Sequence, residues 1–270
     1  MAARDGDDDH VLLAEEGTLR LLRLSDGATV RVVTTLPAIA YSLAWIESTI
    51  YYGSDEDGIY VLEDWKKFDR IPWPGETGLF TINRRTRQVH CLSDRKLYRL
   101  GPNHQWTLVH DNPVGCTIAP VVNDGRFFLA KGAVSEGKGW WRGALDATYA
   151  QHAWCSPSDR AFVVVGGYPD TVVTRDGGEN WSISEGVEMA APLAGFEHLG
   201  RRILFVAGRT GRVHLGRERP SRELQVSTDD ARTFARTAKP SGSVSAMQVV
   251  GAKLVLSDWN RAVHVAEIRP

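Results

Sequence analysis

The 270-residue chain holds three cysteines, and these are the widely spaced Cys91, Cys116 and Cys155. No C-x-x-C pair occurs, which removes the usual zinc and dithiol motifs. An odd, sparse set is also unlike a disulfide-stapled secreted scaffold. No apolar run approaches the ~18 residues of a membrane-crossing helix, so no membrane partner is expected. An excess of one charge is missing too: Lys plus Arg number 32, Asp plus Glu 33, for a net charge of -1. That balance argues against a nucleic-acid partner, which a basic excess would mark. The chain also lacks a G-x-S-x-G elbow, a P-loop, an H-E-x-x-H pair and a G-x-G-x-x-G opening a helix. Neither a cofactor nor a metal is therefore expected. The stretch Met1–His10 is acidic, with no apolar segment of a secretory signal. Residues 1–9 are expected to form a disordered acidic N-terminus, and the protein to be cytoplasmic.

Long helical periodicity is absent as well. Short runs rich in Val, Ile, Leu, Tyr and Phe recur between Gly, Asp, Asn and Ser, as in Ile50–Gly53, Gly58–Leu62 and Phe68–Trp73. Strands this short and dense imply an all-β sandwich, barrel or propeller.

Internal repetition decides among these. Thr174, Asp176, Gly178 and Trp181 have the spacing S/T-x-D-x-G-x-x-W. Ser227, Asp229 and Phe234 repeat it, with Ala231 at the glycine position. The hydroxyl and the carboxylate of such a pattern suit bonding to turn backbone. The glycine supplies a positive φ, so Ala231 is expected to be strained. The pattern resembles the Asp-box of bacterial-neuraminidase (BNR) repeat propellers, the sialidase- and sortilin-like superfamily. Fainter echoes at Val30, Phe68, Trp106 and Tyr149 extend the series with Trp181 and Phe234. The steps are 38, 38, 43, 32 and 53 residues, close to the ~40–45 of a four-stranded blade. A second register, Val89–Asp94 against Leu254–Asp258, adds a truncated last repeat. The expectation is one β-propeller over residues 10–270, with seven four-stranded blades and six as the alternative. The first repeat is expected to begin at its second strand, with no room for an inner one. The resemblance gives the box residues a structural role on the face of the turns between third and fourth strands.

Candidate ligand- or partner-binding residues lie on the opposite face. Turns between second and third strands offer Asp55, Asp57, Tyr168, Asp170, Arg209, Arg212, Trp259 and Arg261. Connections between blades offer Trp73, His110, Trp154 and Glu188. The segment Arg209–Arg222 carries five arginines, whose planar guanidinium forks suit carboxylate, phosphate or an acidic protein surface. Trp73, Trp154 and Trp259 would suit stacking on a sugar or a partner side chain, with packing between blades as the plain alternative. Trp140 and Trp141 read as blade packing.

The sialidase resemblance implies an arginine triad, a Tyr–Glu nucleophile pair and an Asp acid/base, and an early Phe/Tyr-Arg-Ile-Pro signature. This chain has Phe68-Asp69-Arg70-Ile71-Pro72, with Asp69 inserted and Arg70 on an outer strand. No triad is recreated at the starts of the inner strands. The expected function is a soluble, non-catalytic propeller that binds a protein partner or a small, acidic or sugar-like ligand. One alternative is a carbohydrate-active hydrolase or lyase using acids such as Asp55, Asp170, Glu185 or Glu188. Another is an immunity or inhibitor protein.

Overall fold

The computed structural model describes residues 1–4, 6–15, 17–33, 36, 42–54, 57–66, 68–76, 78–83, 86, 88–94, 96–111, 121–123, 126–129, 132–135, 139–141, 149–168, 170–188, 193–208, 223–238, 244–258 and 262–268. They form a succession of antiparallel sheets, each built from strands consecutive in sequence. Among the described residues no helix is long and apolar enough to cross a membrane.

The first sheet holds β1 (His10–Glu15), β2 (Thr18–Arg23) and β3 (Thr29–Val33). Four-stranded sheets follow: β4 (Ser42–Ile46) to β7 (Phe68–Ile71) through β5 (Thr49–Ser54) and β6 (Gly58–Glu63); then β8 (Leu79–Asn83), β9 (Gln88–Ser93), β10 (Lys96–Leu100) and β11 (Trp106–Asp111). The next has β12 (Val121–Asn123), β13 (Arg126–Leu129), β14 (Gly132–Ser135) and β15 (Gly139–Trp141). Then come β16 (Tyr149–Cys155), β17 (Val163–Tyr168), β18 (Asp170–Thr174) and β19 (Ser182–Glu188). The sixth sheet is β20 (Leu193–His198), β21 (Arg201–Gly208), β22 (Glu223–Ser227) and β23 (Ala235–Ala238). The last has three strands, β24 (Val244–Val250), β25 (Lys253–Asp258) and β26 (Val263–Glu267).

The expected blade count changes in a definite way. Ala2 makes an antiparallel bridge to Leu12 of β1, with both backbone bonds formed at 2.9 and 2.8 Å. It supplies the inner position that the sequence reading left empty. Among the described residues six blades thus have all four strand positions, which gives the alternative count in place of the expected seven, and β24–β26 fills three. Ala2 and Ala3 are buried, so the N-terminus is packed there rather than loose.

Burial explains the composition of the strands. Strands within a blade that are covered on both faces read as apolar runs: β6 is buried at five of its six residues and β9 at five of six. The fourth strand β23 has one open edge and is exposed along its whole length. The turn into β6 requires glycine: Gly58 has φ +128°, and a Cβ there would collide with the Ile71 carbonyl oxygen.

The chain divides into two compact units. Residues 1–122, 248–255 and 264–270 form one. Its cores centre on Leu12, Leu19, Trp45, Ile50, Tyr52 and Leu62, and on Ile59, Val61, Ile71, Trp73, Phe80 and Cys91. Residues 123–247 and 256–263 form the other, with a core of Phe162, Val164, Val173, Leu204, Val206 and Phe234.

Candidate functional site

The two motif turns sit where expected, between β18 and β19 and between β22 and β23. In the first, Thr174 Oγ1 donates to Asp176 Oδ1 at 2.8 Å and accepts from the Gly178 amide at 2.8 Å. The Asn180 amide and side chain donate to the Asp176 carboxylate at 2.9 and 2.7 Å. The second repeats this: Ser227 Oγ donates to Asp229 Oδ1 at 2.8 Å and accepts from the Ala231 amide at 3.1 Å. Thr233 donates its amide and hydroxyl to Asp229 at 3.0 and 2.7 Å.

Hydrogen bonds to the ionised form lower a carboxyl pKa. The Asn180 amide, followed by the Asn180 and Thr174 side chains, holds Asp176 at about 2. Partial desolvation pushes Asp229 upward, but the Thr233 and Ser227 bonds outweigh it and hold it at about 2 as well. Ala231 has φ +57° and Asp230 φ +59°, where the first turn has Gly177 at +76° and Gly178 at +98°. The expected strain at Ala231 is therefore present.

Arginines tie this end together. Arg202 meets Asp159 at 2.7 Å, Asp230 at 3.1 Å and Glu197 at 3.4 Å, with its guanidinium 4.3 Å from the Phe162 ring centroid. Ser156 donates its hydroxyl to Glu197. Arg175 donates to the Asp230 carbonyl at 2.6 Å and to Ser182 Oγ at 3.1 Å. Glu185 of β19 exchanges backbone bonds with Arg232 and Phe234, made possible by Gly186 at φ +82°, where a Cβ would lie 2.5 Å from the Phe234 carbonyl oxygen. These roles of Arg175 and Arg202 carry no spacing signal in the sequence.

The other end of sheet β16–β19 gathers different groups. The register sets Tyr149 opposite Tyr168 and Asp170 opposite Glu188, so two predicted acids share a cross-strand position. Glu185 and Glu188 were expected in a connection and instead belong to β19. Trp154, also expected in a connection, is in β16 and half-buried, donating its indole N–H to the Gly195 carbonyl at 3.0 Å. Tyr149 opens a first strand rather than a fourth, so it is not equivalent to Trp181; Trp140 and Trp141 are on the fourth strand β15. In the neighbouring sheet, buried Glu223 pairs with Arg236 at 3.2 Å. Gln225 is fully buried, and neither polar atom of its side chain has a partner among the described residues.

The first unit holds the remaining predicted residues. Asp57 accepts from the Arg70 Nε on its backbone carbonyl at 2.9 Å, which confirms Arg70 on the outer strand β7. Trp73 is buried, donates to the Ser54 carbonyl at 2.8 Å and packs on Trp106 with centroids 6.4 Å apart. Trp73 thus packs between sheets, the plain alternative of the sequence analysis. His110 lies in β11 opposite Leu97. Asp55, Arg209, Arg212, Trp259 and Arg261 lie outside the described residues. Among the described residues no group of three or more His, Cys, Asp or Glu could hold a metal ion.

No protein-family model matches the chain, and no curated protein matches it. Among solved structures, the chain is similar to the crystal structure of the Niastella koreensis GH74 (NkGH74) enzyme, with a TM-score of 0.65 and 15% identity. The match covers 96% of this chain and 43% of that one, so the chain spans less than half of that enzyme. The fold is a β-propeller. A likeness at this identity shows the fold alone, and the propeller's function is not carried with it.

Proposed function

We propose that this propeller is a non-catalytic binding protein, taking a protein partner or small ligand at the blade ends opposite the motif turns. We also read those turns as Asp-boxes of the BNR type, on their matching hydroxyl–carboxylate networks. The observation that carries the binding reading is the contrast between the two ends of sheets β16–β19 and β20–β23. At the motif end, Thr174, Asp176, Ser227, Asp229, Arg175 and Arg202 are engaged by internal partners. At the other end, the strand register sets the positions of Tyr149 and Tyr168, and those of Asp170 and Glu188, across from one another. The same reading keeps the protein in the cytoplasm, with buried Cys91 and half-buried Cys155 as free thiols whose pKa values desolvation raises.

Hydrogen exchange tests the reading. Binding should slow the amides of Tyr168, Asp170 and neighbouring strand ends, and leave those of 176–181 and 229–234 unchanged. Protection confined to the motif turns would overturn it.

The cross-strand register of Asp170 with Glu188 favours a second reading, a carbohydrate-active hydrolase. Glycosidases of most kinds work with two carboxyl groups flanking the scissile bond. Turnover of aryl glycosides that is lost in both Asp170→Asn and Glu188→Gln would favour this reading over the first.

A further inference from the structure

Strands β4 and β8 pack side by side in the first unit, yet among the described residues each pairs on one edge only, β4 with β5 and β8 with β9. Between them runs a groove of about 180 Å³ lined by Ser42–Ile46 and by Phe80, Thr81 and Ile82. At ~30 Å³ per water this is the bulk of about six water molecules, the size class of one sugar ring.

Three properties of the lining select a ligand. None of its residues is charged, so an ion entering would lose hydration without a counter-charge. Free strand edges present amide donors and carbonyl acceptors in alternation, which suits groups that both donate and accept. The lining also holds a polar atom in need of a partner: Ser42 Oγ, shut off from solvent, has none among the described residues. The Ser42 hydroxyl, now beside the Gly53 backbone and the Phe80 ring, turns about χ1 between staggered wells and can exchange those surroundings for a ligand. Leu43 and Ile82, both only partly buried, offer the apolar surface that the C–H faces of such a ligand need.

We propose that this groove binds a neutral polyhydroxy compound of monosaccharide size. Hydroxyls answer both the donors and the acceptors of the strand edges and of Ser42 and Thr81. The proposal rests on the ligand-binding half of the function proposed above and names its substrate class.

Saturation-transfer NMR on the full chain would test it, with glucose, galactose, mannose, N-acetylglucosamine and myo-inositol as probes and glucuronate as the charged control. At least one neutral probe should receive saturation, and glucuronate should bind no better than about tenfold more weakly. Thr81→Val should weaken the binding about three- to tenfold, with an unchanged melting temperature showing that the fold is kept. Ala44→Leu, which narrows the groove, should abolish it; if that variant fails to fold, Thr81→Val and Ser42→Ala decide. Absence of saturation from every neutral probe overturns the groove proposal. Equal binding by wild type, Thr81→Val and Ser42→Ala overturns it too, while leaving ligand binding elsewhere intact. Amide protection at Tyr168–Asp170 by a protein partner without sugar binding would uphold the broader function and sink the groove alone.

Discussion

Single side chains divide into those whose polar atoms are satisfied and those whose atoms are not. Asp176 and Asp229 are of the first kind, each held at about 2 by its turn. A carboxyl with a folded pKa below its unfolded value adds stability above ~4, lost as pH falls through the folded value. The melting temperature of the wild type should therefore fall between about pH 4 and pH 2 more steeply than that of Asp176→Asn/Asp229→Asn, as calorimetry would show. His90 has the same sign for another reason. Burial lowers it to about 4, so it folds neutral. Its contribution is complete above the unfolded value of ~6.5 and drains as pH drops to about 4, by roughly 3 kcal/mol in all. His90→Gln should remove that slope between pH 6.5 and 4. Gln225 is of the second kind, fully buried without a partner among the described residues. Leaving a polar group unpaired costs ~1–3 kcal/mol, so Gln225→Leu should stabilise the protein and raise its midpoint in urea. A lower midpoint would show that the amide has a polar contact in solution. The two aspartate turns were readable in the chain, but the burial of His90 and Gln225 was not: Gln225 lies in an ordinary alternating strand, and only the facing sheet decides that it is covered.

Elements dock through few residues, and the pin between the sheets β16–β19 and β20–β23 is Arg202. Ion pairs with exposed Asp159 and Asp230 contribute little, ~0–1 kcal/mol each. The stacking on Phe162 adds ~0.5–1 kcal/mol, and the pair with the less exposed Glu197 completes the set. Lysine keeps the charge but cannot present a planar fork to three acceptors. Arg202→Lys should then lose most of what Arg202→Met loses, about 2 kcal/mol by chemical denaturation. Equal stability of Arg202→Lys and wild type would show that charge alone matters. The sequence revealed the turns flanking this pin, because hydroxyl, carboxylate and glycine or aromatic recur at fixed offsets. It misplaced Tyr149, since a Thr–aromatic pair opens inner as well as outer strands. It also placed Trp154 and Glu188 in connections that the backbone continues as strand. Strand ends depend on which neighbour offers a hydrogen-bonding edge, and a linear pattern does not carry that.

At the scale of the molecule, the N-terminal residues act as part of the fold. Ala2 adds an edge to β1, Asp9 accepts from Lys253 at 3.1 Å and from Ser25 at 2.8 Å, and the Leu24 amide bonds the Asp9 carbonyl. Two backbone bonds at ~1 kcal/mol each and the renewed exposure of Leu12, worth ~1.5 kcal/mol, amount to about 3 kcal/mol. Deleting residues 2–9 should lower the melting temperature by several degrees, measured by calorimetry; an unchanged midpoint would restore the reading of a loose acidic tail. Composition misled here because a charged stretch reads as solvated, while two alanines within it are small enough to fit beside a strand edge.

The sequence by itself determined the fold class, the four-strand repeat and the location of the two motif turns. Each is a local property, written in alternation, spacing and turn chemistry within some 40 residues. Tertiary structure alone decided how many blades are complete, that Trp73 packs between sheets, that Asp170 and Glu188 share a cross-strand position, and that β4 and β8 border an uncharged groove. These depend on contacts between residues far apart in the chain, where a side chain's role is set by what covers it.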